Sequence, residues 1–335
     1  MYYPILRGRQ YELIALRNCI EGSLISSEFV LPVIEPVKAV PSFIKLLEAC
    51  KERNFKVAII QNPVVGQWST SFNLKENSKF KDAYEQLLKE NENWLIKAYY
   101  CTDKLSDTSI DDKSIVICLE NSDIKYYKSY IQDKKISPSA VIFPYDRNFL
   151  RLKPKVAVEL SDNFKKRKNS DYTNHDDDFF SQDFFYYKED GCKGFSDYSI
   201  VGQEYSETGF APTAVAIHIV YLKSDSPSDV ALYVHHFVSD DQDGIQDVAK
   251  KYIQALKKVK EFDFSRNLKN GDFPYLKKSN ETKSLKLMLD DLDGDEYHGL
   301  GVVKQYSIMH HLELVNRVLE NNKSKEEKSL DNDTL

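Results

Sequence analysis

The chain alternates short, continuously apolar runs with stretches in which apolar residues recur at helical spacing. Apolar runs of roughly four to eight residues, bounded by turn residues, are typical of parallel strands buried on both faces. Between them, Phe43, Leu47 and Cys50 fall at i, i+4 and i+7, which predicts an amphipathic helix. The predicted strands are YPIL (3–6), FVLPVIE (29–35), KVAIIQNP (56–63), WLIKAYY (94–100), SIVICLE (114–120), SAVIFPYD (139–146), KVAVEL (155–160) and DYSIVG (197–202).

Eight strands in βα order predict an α/β fold, a (β/α)8 barrel of the TIM type, over residues 1–205. A doubly wound open sheet is the alternative, because the strand count alone does not distinguish the two. A long insertion at about 161–196 interrupts the predicted barrel. It contains NHDDDFFSQDFFYY (174–187), and it is far longer than a βα loop of roughly 2–6 residues. We therefore predict that the insertion is a lid or a binding loop.

The second half of the chain has a different pattern. TAVAIHIVYL (213–222) and DVALYVHHFV (229–238) flank the polar segment SDSPS, which predicts an appended antiparallel hairpin. We predict that residues 206–320 form this hairpin and a helical C-terminal extension that packs on the barrel. The charged segment 321–335 lacks aromatic residues and is predicted to be a disordered tail.

Composition narrows the class of protein. The net charge of -6 argues against a protein that coats nucleic acid, since such proteins are normally basic. Five cysteines lie far apart without a C-x-x-C pair, which favours buried thiols in a reducing compartment. The N-terminus has no apolar core typical of a secretory signal, and no run approaches the roughly 18 apolar residues of a membrane span. We expect a cytoplasmic protein that does not enter the membrane.

The common chemical motifs are absent from the sequence. There is no G-x-x-x-x-G-K-[ST], no G-x-G-x-x-G and no H-E-x-x-H. The acidic segment DDLDGDE (290–296) fails the spacing of a calcium loop, because the first ligand position would be Leu289. His218 lies within AVAIHIVYL on a strand that we expect to be half-buried, where it is either a structural histidine or a catalytic one. Nothing in the sequence identifies a nucleophile.

Polar residues recur where the predicted strands end. In a parallel barrel these ends meet at one rim, where barrel enzymes place their chemistry. The other explanation is that polar residues only mark where burial stops. The residues at or after these strand ends are Glu35, Asn62, Glu120, Asp146, Arg147, Glu159, Asp162 and Asp197.

These strand ends suggest a site for an anionic ligand. Glu35 and Asp197 are the candidate catalytic acids, with His218 as a third catalytic candidate. A divalent cation such as Mg²⁺ is the candidate cofactor, because Mg²⁺ needs only one or two carboxylates beside a substrate phosphate. Arg7 and Arg9 follow the first predicted strand and could hold an anionic group. The basic segment KKRKNSDY (165–172) fits a nucleotide or nucleic-acid ligand, and it fits a partner protein equally well.

Several segments together resemble a known family. YYPILRGRQYELIAL, FVLPVIEPVK, KGFSDYSIVG, AVAIHIVYL and HHFVSD, in that order, are similar to the Beta protein family of bacteria, prophages and phage satellites. The resemblance extends to about residue 260. The member that gives the family its name is an immunity factor against a toxic neighbour, and relatives resemble components of two-gene loci beside predicted nucleases. The resemblance implies anti-phage defence or toxin control, and it brings no catalytic residues with it.

Three hypotheses follow from these features. In the first, the barrel binds and regulates, or acts together with, a toxic, nuclease-like protein encoded by a neighbouring gene, through residues 174–187 and the hairpin. In the second, it is a metal-assisted hydrolase of a phosphodiester or nucleotide that uses the acids of the rim. In the third, the barrel holds a small molecule that the sequence does not specify. The resemblance favours the first hypothesis.

Overall fold

The structure is a computed structural model that describes residues 1–91, 93–103, 105, 110–207, 212–226, 229–264, 276, 278–293 and 297–332. The chain divides into two compact units. The first unit comprises Met1–Asp162 and Phe185–Tyr198, and the second comprises Asn163–Phe184 and Ser199–Leu335.

The described residues of the two units together form eleven strands and ten α-helices. The strands are β1 (Ile5–Arg7), β2 (Val33–Glu35), β3 (Val57–Ile60), β4 (Leu95–Tyr100), β5 (Ile115–Ile117), β6 (Ala140–Pro144), β7 (Ala157–Ser161), β8 (Asp177–Ser181), β9 (Gly194–Asp197), β10 (Ala216–Ser226) and β11 (Asp229–Val238). The α-helices are α1 (Gln10–Glu21), α2 (Pro41–Glu52), α3 (Trp68–Phe72), α4 (Ser78–Lys89), α5 (Ile124–Tyr127), α6 (Arg147–Leu150), α7 (Asp183–Tyr186), α8 (Val248–Glu261), α9 (Lys283–Asp291) and α10 (Leu300–Asn332).

The first unit is a nearly closed parallel barrel. Its strands pair in the order β1-β2-β3-β4-β5-β6-β7-β9, and every neighbouring pair is parallel. A parallel bridge between Tyr2 and Phe195 joins the beginning of the sheet to its end. The Tyr3 amide donates to the Phe195 carbonyl at 2.8 Å at the same junction. The prediction of a parallel eight-stranded sheet in βα order is confirmed.

Apolar side chains fill the inside of this barrel. Alternate residues of each strand share one face of the sheet, so every second side chain belongs to one core. That core includes Ile5, Val33, Ile60 and Ile117, and it extends to Tyr100 and Tyr198 at the carboxyl ends of their strands. The amphipathic spacing of α1, α2 and α4 explains their buried stripes. Between β6 and β7, by contrast, the helix α6 has only 4 residues.

The eighth barrel strand lies earlier in the sequence than predicted. The prediction placed it at 197–202, but β9 covers Gly194–Asp197, and a 3₁₀ helix occupies Ser199–Val201. Ser199 has a φ of 52°, a left-handed conformation that ends the strand. A Cβ on Gly194 would lie 2.5 Å from the Met1 carbonyl oxygen. Glycine weakens a strand pattern in sequence, and here it allows the close backbone approach.

The second unit contains an antiparallel sheet in the order β10-β11-β8. The predicted hairpin is confirmed as β10 and β11, while the turn residues 227–228 lie outside the described residues. The insertion differs from the predicted lid or loop, because its segment 177–181 is the strand β8, paired with β11. Residues 163–184 therefore belong with the hairpin, and residues 185–198 belong with the barrel. The prediction placed the domain boundary at residue 205, whereas the second unit comprises Asn163–Phe184 and the chain from Ser199.

The last helix is longer than the sequence predicted. We expected disorder from residue 321, but α10 continues to Asn332. Lysine and glutamate are good helix formers, and an i,i+4 pair joins Lys323 and Glu327 at 3.7 Å. Among the helices that the structure describes, none has the length and apolar character needed to cross a membrane.

Candidate functional site

An arginine and a glutamate occupy the carboxyl end of the barrel. Arg7 and Glu35 are the last residues of β1 and β2, and they are directly opposite each other in the parallel register. Both lie deep inside the protein, with side-chain exposures of 5% and 0%. Arg7 Nη1 donates to Glu35 Oε2. The sequence analysis placed both residues at the rim, and the structure shows that they form a buried ion pair.

The Glu35 carboxylate accepts four hydrogen bonds. Its Oε2 receives the Tyr100 hydroxyl at 2.7 Å in addition to Arg7. Its Oε1 receives the backbone amides of Val64 at 2.7 Å and Val65 at 3.1 Å. A carboxylate offers about four lone-pair positions. All four are therefore used within the barrel, and Glu35 joins the ends of β1, β2 and β4 to the loop after β3.

That loop depends on a glycine. Gly66 follows the two amides that bind Glu35, and it has a φ of 76°. A Cβ at this position would lie 2.6 Å from the Val37 carbonyl oxygen. The Gln67 amide donates to the same carbonyl at 2.7 Å. Only glycine combines the left-handed backbone with this close approach, so the loop is held against the segment that follows β2.

The ion pair has two aromatic neighbours that the sequence analysis did not single out. Arg7 Nη1 donates to the Tyr100 hydroxyl at 3.3 Å, and its guanidinium carbon lies 5.0 Å from the centroid of the Tyr198 ring. Burial, followed by the charge of Glu35, raises the pKa of Tyr100. Burial also raises the pKa of Tyr198. Burial lowers the pKa of Arg7, but the nearby Tyr100 and Glu35 overcome this and raise it.

Asn62 has a structural role at the end of β3. Its amide nitrogen donates to the Tyr100 carbonyl at 2.9 Å, and its amide oxygen accepts from the Tyr100 backbone amide at 2.9 Å. These two hydrogen bonds continue the pairing between β3 and β4 beyond the last residue of β3. It also fixes Tyr100, whose hydroxyl binds Glu35. Asn62 therefore belongs to the same network as Arg7 and Glu35.

Two of the polar residues that follow strands, Glu120 and Asp146, lie at the starts of short helices. Glu120 accepts from the Ser122 hydroxyl at 2.6 Å and begins the 3₁₀ helix at 121–123. Asp146 is the N-cap of α6 and accepts from the Asn148 amide at 2.6 Å. That hydrogen bond lowers the pKa of Asp146. Arg147 is the exposed first residue of α6. Glu120 and Asp146 therefore stabilise helix starts, the role that polar N-cap residues commonly have.

Three other predicted acids, Asp197, Glu159 and Asp162, differ from Glu35 in the face of the sheet on which they lie or in their burial. Asp197 ends β9 beside Ser161 of β7, but its position alternates with the inward Tyr198. It is buried and accepts from the Tyr2 hydroxyl at 2.7 Å. Glu159 lies within β7, on the face opposite Val158 and Leu160 of the core. Asp162 is exposed after β7, and Arg9 is a half-buried residue that precedes α1. The structure therefore does not bring Asp197 and Glu35 together on the inner face.

His218 belongs to the second unit, where it pairs with another histidine. Its Nδ1 lies 2.7 Å from Nδ1 of His236, so one ring donates to the other. His236 Nε2 lies 3.1 Å from Asp178, which also binds Arg167. Burial lowers the pKa of His218 to about 3 and the pKa of His236 to about 4. His218 was singled out from the sequence, but its contact with His236 depends on the strand register. Asp178 was not singled out because it lies in the segment predicted as a lid or loop.

The described residues contain no group of three or more His, Cys, Asp or Glu side chains that could hold a metal ion. Glu35 and Asp197, the two candidate catalytic acids, both accept hydrogen bonds from internal donors. Comparison with known proteins gives no match to a family model, to a curated protein or to a solved structure.

Proposed function

We propose that this protein acts by binding and regulating a toxic, nuclease-like protein encoded by a neighbouring gene, in anti-phage defence or toxin control. The resemblance of its sequence to the Beta protein family supports this role. The observation that carries the proposal is the fully occupied carboxylate of Glu35. A carboxylate with four internal donors has no position left for a metal ion or a substrate proton. This occupancy favours a binding protein over a metal-dependent phosphodiesterase.

The cytoplasm is the compartment that we propose for this interaction. All five cysteines are buried thiols. Unpaired cysteines are common where the environment is reducing, whereas disulfides accumulate in oxidising compartments. A cytoplasmic location would also place the protein beside a toxic neighbour made in the same cell.

The contact surface that we propose lies on β8. Phe179 is 46% exposed on this strand, and its ring lies 5.7 Å from that of Tyr233 on β11. The sheet ends at β8, so its outer edge has no strand partner among the residues that the structure describes. Such an edge can accept a strand from another protein. An exposed aromatic residue beside it can supply an anchor for that protein.

Replacing Phe179 by serine is expected to weaken binding of the neighbouring gene product at least tenfold. Aromatic anchors commonly contribute about 2 kcal/mol or more, and about 1.4 kcal/mol corresponds to a factor of ten. The measurement is the dissociation constant of the two purified proteins, with the full chain on one side. Because Phe179 is exposed, the variant should fold as the parent does.

Tyr145→Ser is the matched control for this variant. Tyr145 is 50% exposed, and it lies after β6 in the barrel. Its replacement should leave the dissociation constant unchanged. Equal binding by Phe179→Ser and the parent would contradict the proposed surface. A complete lack of binding between the parent chain and the neighbouring protein would contradict the proposed function.

A further inference from the structure

The second unit contains a cavity that the proposed function does not use. Its volume is about 280 Å³. This is near the lower end of the range for small-molecule sites, roughly 300–1,000 Å³, so it suits one small group. Its lining includes Asp176, His235, Phe237, Lys258, Glu261 and Phe262.

The His235 side chain forms part of the cavity wall, and a hydrogen bond fixes the orientation of its ring. Its Nδ1 lies 2.7 Å from Asp177 Oδ1. Burial raises the pKa of Asp177, but its bonds to His235 and to Tyr221 and Lys223 lower it, so the carboxylate is ionised. An ionised carboxylate only accepts hydrogen bonds, so Nδ1 carries the proton.

Two carboxylates add negative charge to the lining. Asp176 and Glu261 are exposed, and no side chain or backbone donor among the described residues pairs with either carboxylate. Lys258 is the cation of the lining, and it already has two partners. Its Nζ lies 2.7 Å from Asp240 Oδ1 and donates to the Val238 carbonyl at 2.7 Å. The cavity therefore has acceptors and negative charge in excess of free donors.

Aromatic rings form another part of the wall. The rings of His235 and Phe262 lie 4.4 Å apart, and those of Phe237 and Phe262 lie 5.4 Å apart at 83°. Aromatic faces attract cations, and the attraction grows when water is partly excluded. Aromatic rings beside carboxylates form a common arrangement for binding an ammonium or guanidinium group. An anionic ligand would meet Asp176 and Glu261 instead.

We propose that this cavity binds an organic cation, an ammonium or guanidinium group on a short aliphatic chain. Asp176 and Glu261 supply charge, and Phe262 contacts the cation or its aliphatic part. Two sources carry this chemistry, a free amine and a lysine or arginine side chain of a protein. The cavity volume suits either of these single groups.

The test is an NMR titration of the full chain with butylammonium and butylguanidinium, and with the uncharged butylurea. We expect a dissociation constant on the order of 1 mM for the better cation, and roughly tenfold weaker binding of butylurea. Asp176→Asn and Glu261→Gln should each weaken cation binding roughly 1.5-fold to fivefold, as expected for exposed ion pairs. Phe262→Leu should weaken it roughly twofold to fivefold.

Glu320→Gln is the matched control, because this exposed acid on α10 does not line the cavity. It should leave cation binding unchanged. Spermidine and Nα-acetyl-arginine methylamide distinguish the two sources, and tighter binding of either one supports the proposal and identifies the source. Equal binding of butylurea and the cations would overturn the proposal. So would the absence of binding by every cation, or equal cation binding by the parent chain and by both acid variants.

Discussion

Replacing Arg7 by methionine is expected to lower the free energy of unfolding by about 3–5 kcal/mol. The variant keeps the aliphatic volume of the side chain but leaves Glu35 as a buried negative charge without its cation. Burial makes this costly, since both side chains are almost completely buried. The remaining donors, Tyr100 and two backbone amides, compensate only part of the charge. The measurement is urea unfolding of the full chain, followed by circular dichroism.

Two further variants make this result specific. Arg53→Met changes an exposed arginine, and it should alter the free energy of unfolding by less than about 0.5 kcal/mol. Arg7→Met with Glu35→Gln removes both charges, while the amide oxygen still accepts from Val64 and Val65. This double variant should recover at least half of the stability lost in Arg7→Met. Equal stability of Arg7→Met and the parent would show that the buried pair is not a stabilising contact.

Acid is expected to destabilise the protein through Asp178. Burial raises the pKa of this carboxyl, but its bonds to Arg167 and His236 lower it from the ordinary value of 3.8 to about 2. Between these two pKa values the unfolded chain binds more protons than the folded chain. Stability from Asp178 is therefore complete above pH 3.8 and is lost as the pH falls toward 2. The loss should be about 2 kcal/mol, because one pKa unit corresponds to about 1.4 kcal/mol.

Asp178→Asn tests the origin of this acid sensitivity. The variant should be less stable than the parent near pH 6, because Arg167 loses its charged partner. Its stability should also change less between pH 4 and pH 2 than that of the parent. Glu281→Gln changes an exposed acid of the same unit, and it should retain the parent's pH dependence. An unchanged pH dependence in Asp178→Asn would contradict the depressed pKa.

The sequence predicts most of the barrel because continuous apolar runs are a strong signal for buried parallel strands. Seven of the predicted runs overlap β1 to β7. The eighth was displaced, because Gly194 weakens the pattern of the true strand, and Ser199 leaves the strand conformation within the predicted one. The strand β8 was missed because its segment, DDFFS, has acids where a strand pattern expects apolar residues.

The candidate site was predictable in position but not in role. The register of β1 and β2 brings Arg7 opposite Glu35, as two polar strand ends in neighbouring strands suggest. The sequence does not show which face of the sheet each strand-end residue occupies. In the structure, Asp197 lies on the face opposite Tyr198. Nor does the sequence reveal the loop amides that complete the bonding of Glu35. Such contacts depend on long-range packing, which local patterns do not specify.

The most direct test of the account is survival of cells that express the toxic neighbour together with the Arg7→Met/Glu35→Gln double variant. Arg7 and Glu35 form a buried ion pair that we expect to stabilise the barrel, whereas the proposed surface that regulates the neighbour lies on β8. If the double variant folds, as urea unfolding would establish, it should protect cells to within about twofold of the parent chain. Loss of a catalytic acid or base typically costs roughly a hundredfold or more in rate. A folded double variant that binds the neighbour but protects at least a hundredfold less well would contradict the account and favour catalysis at the barrel mouth.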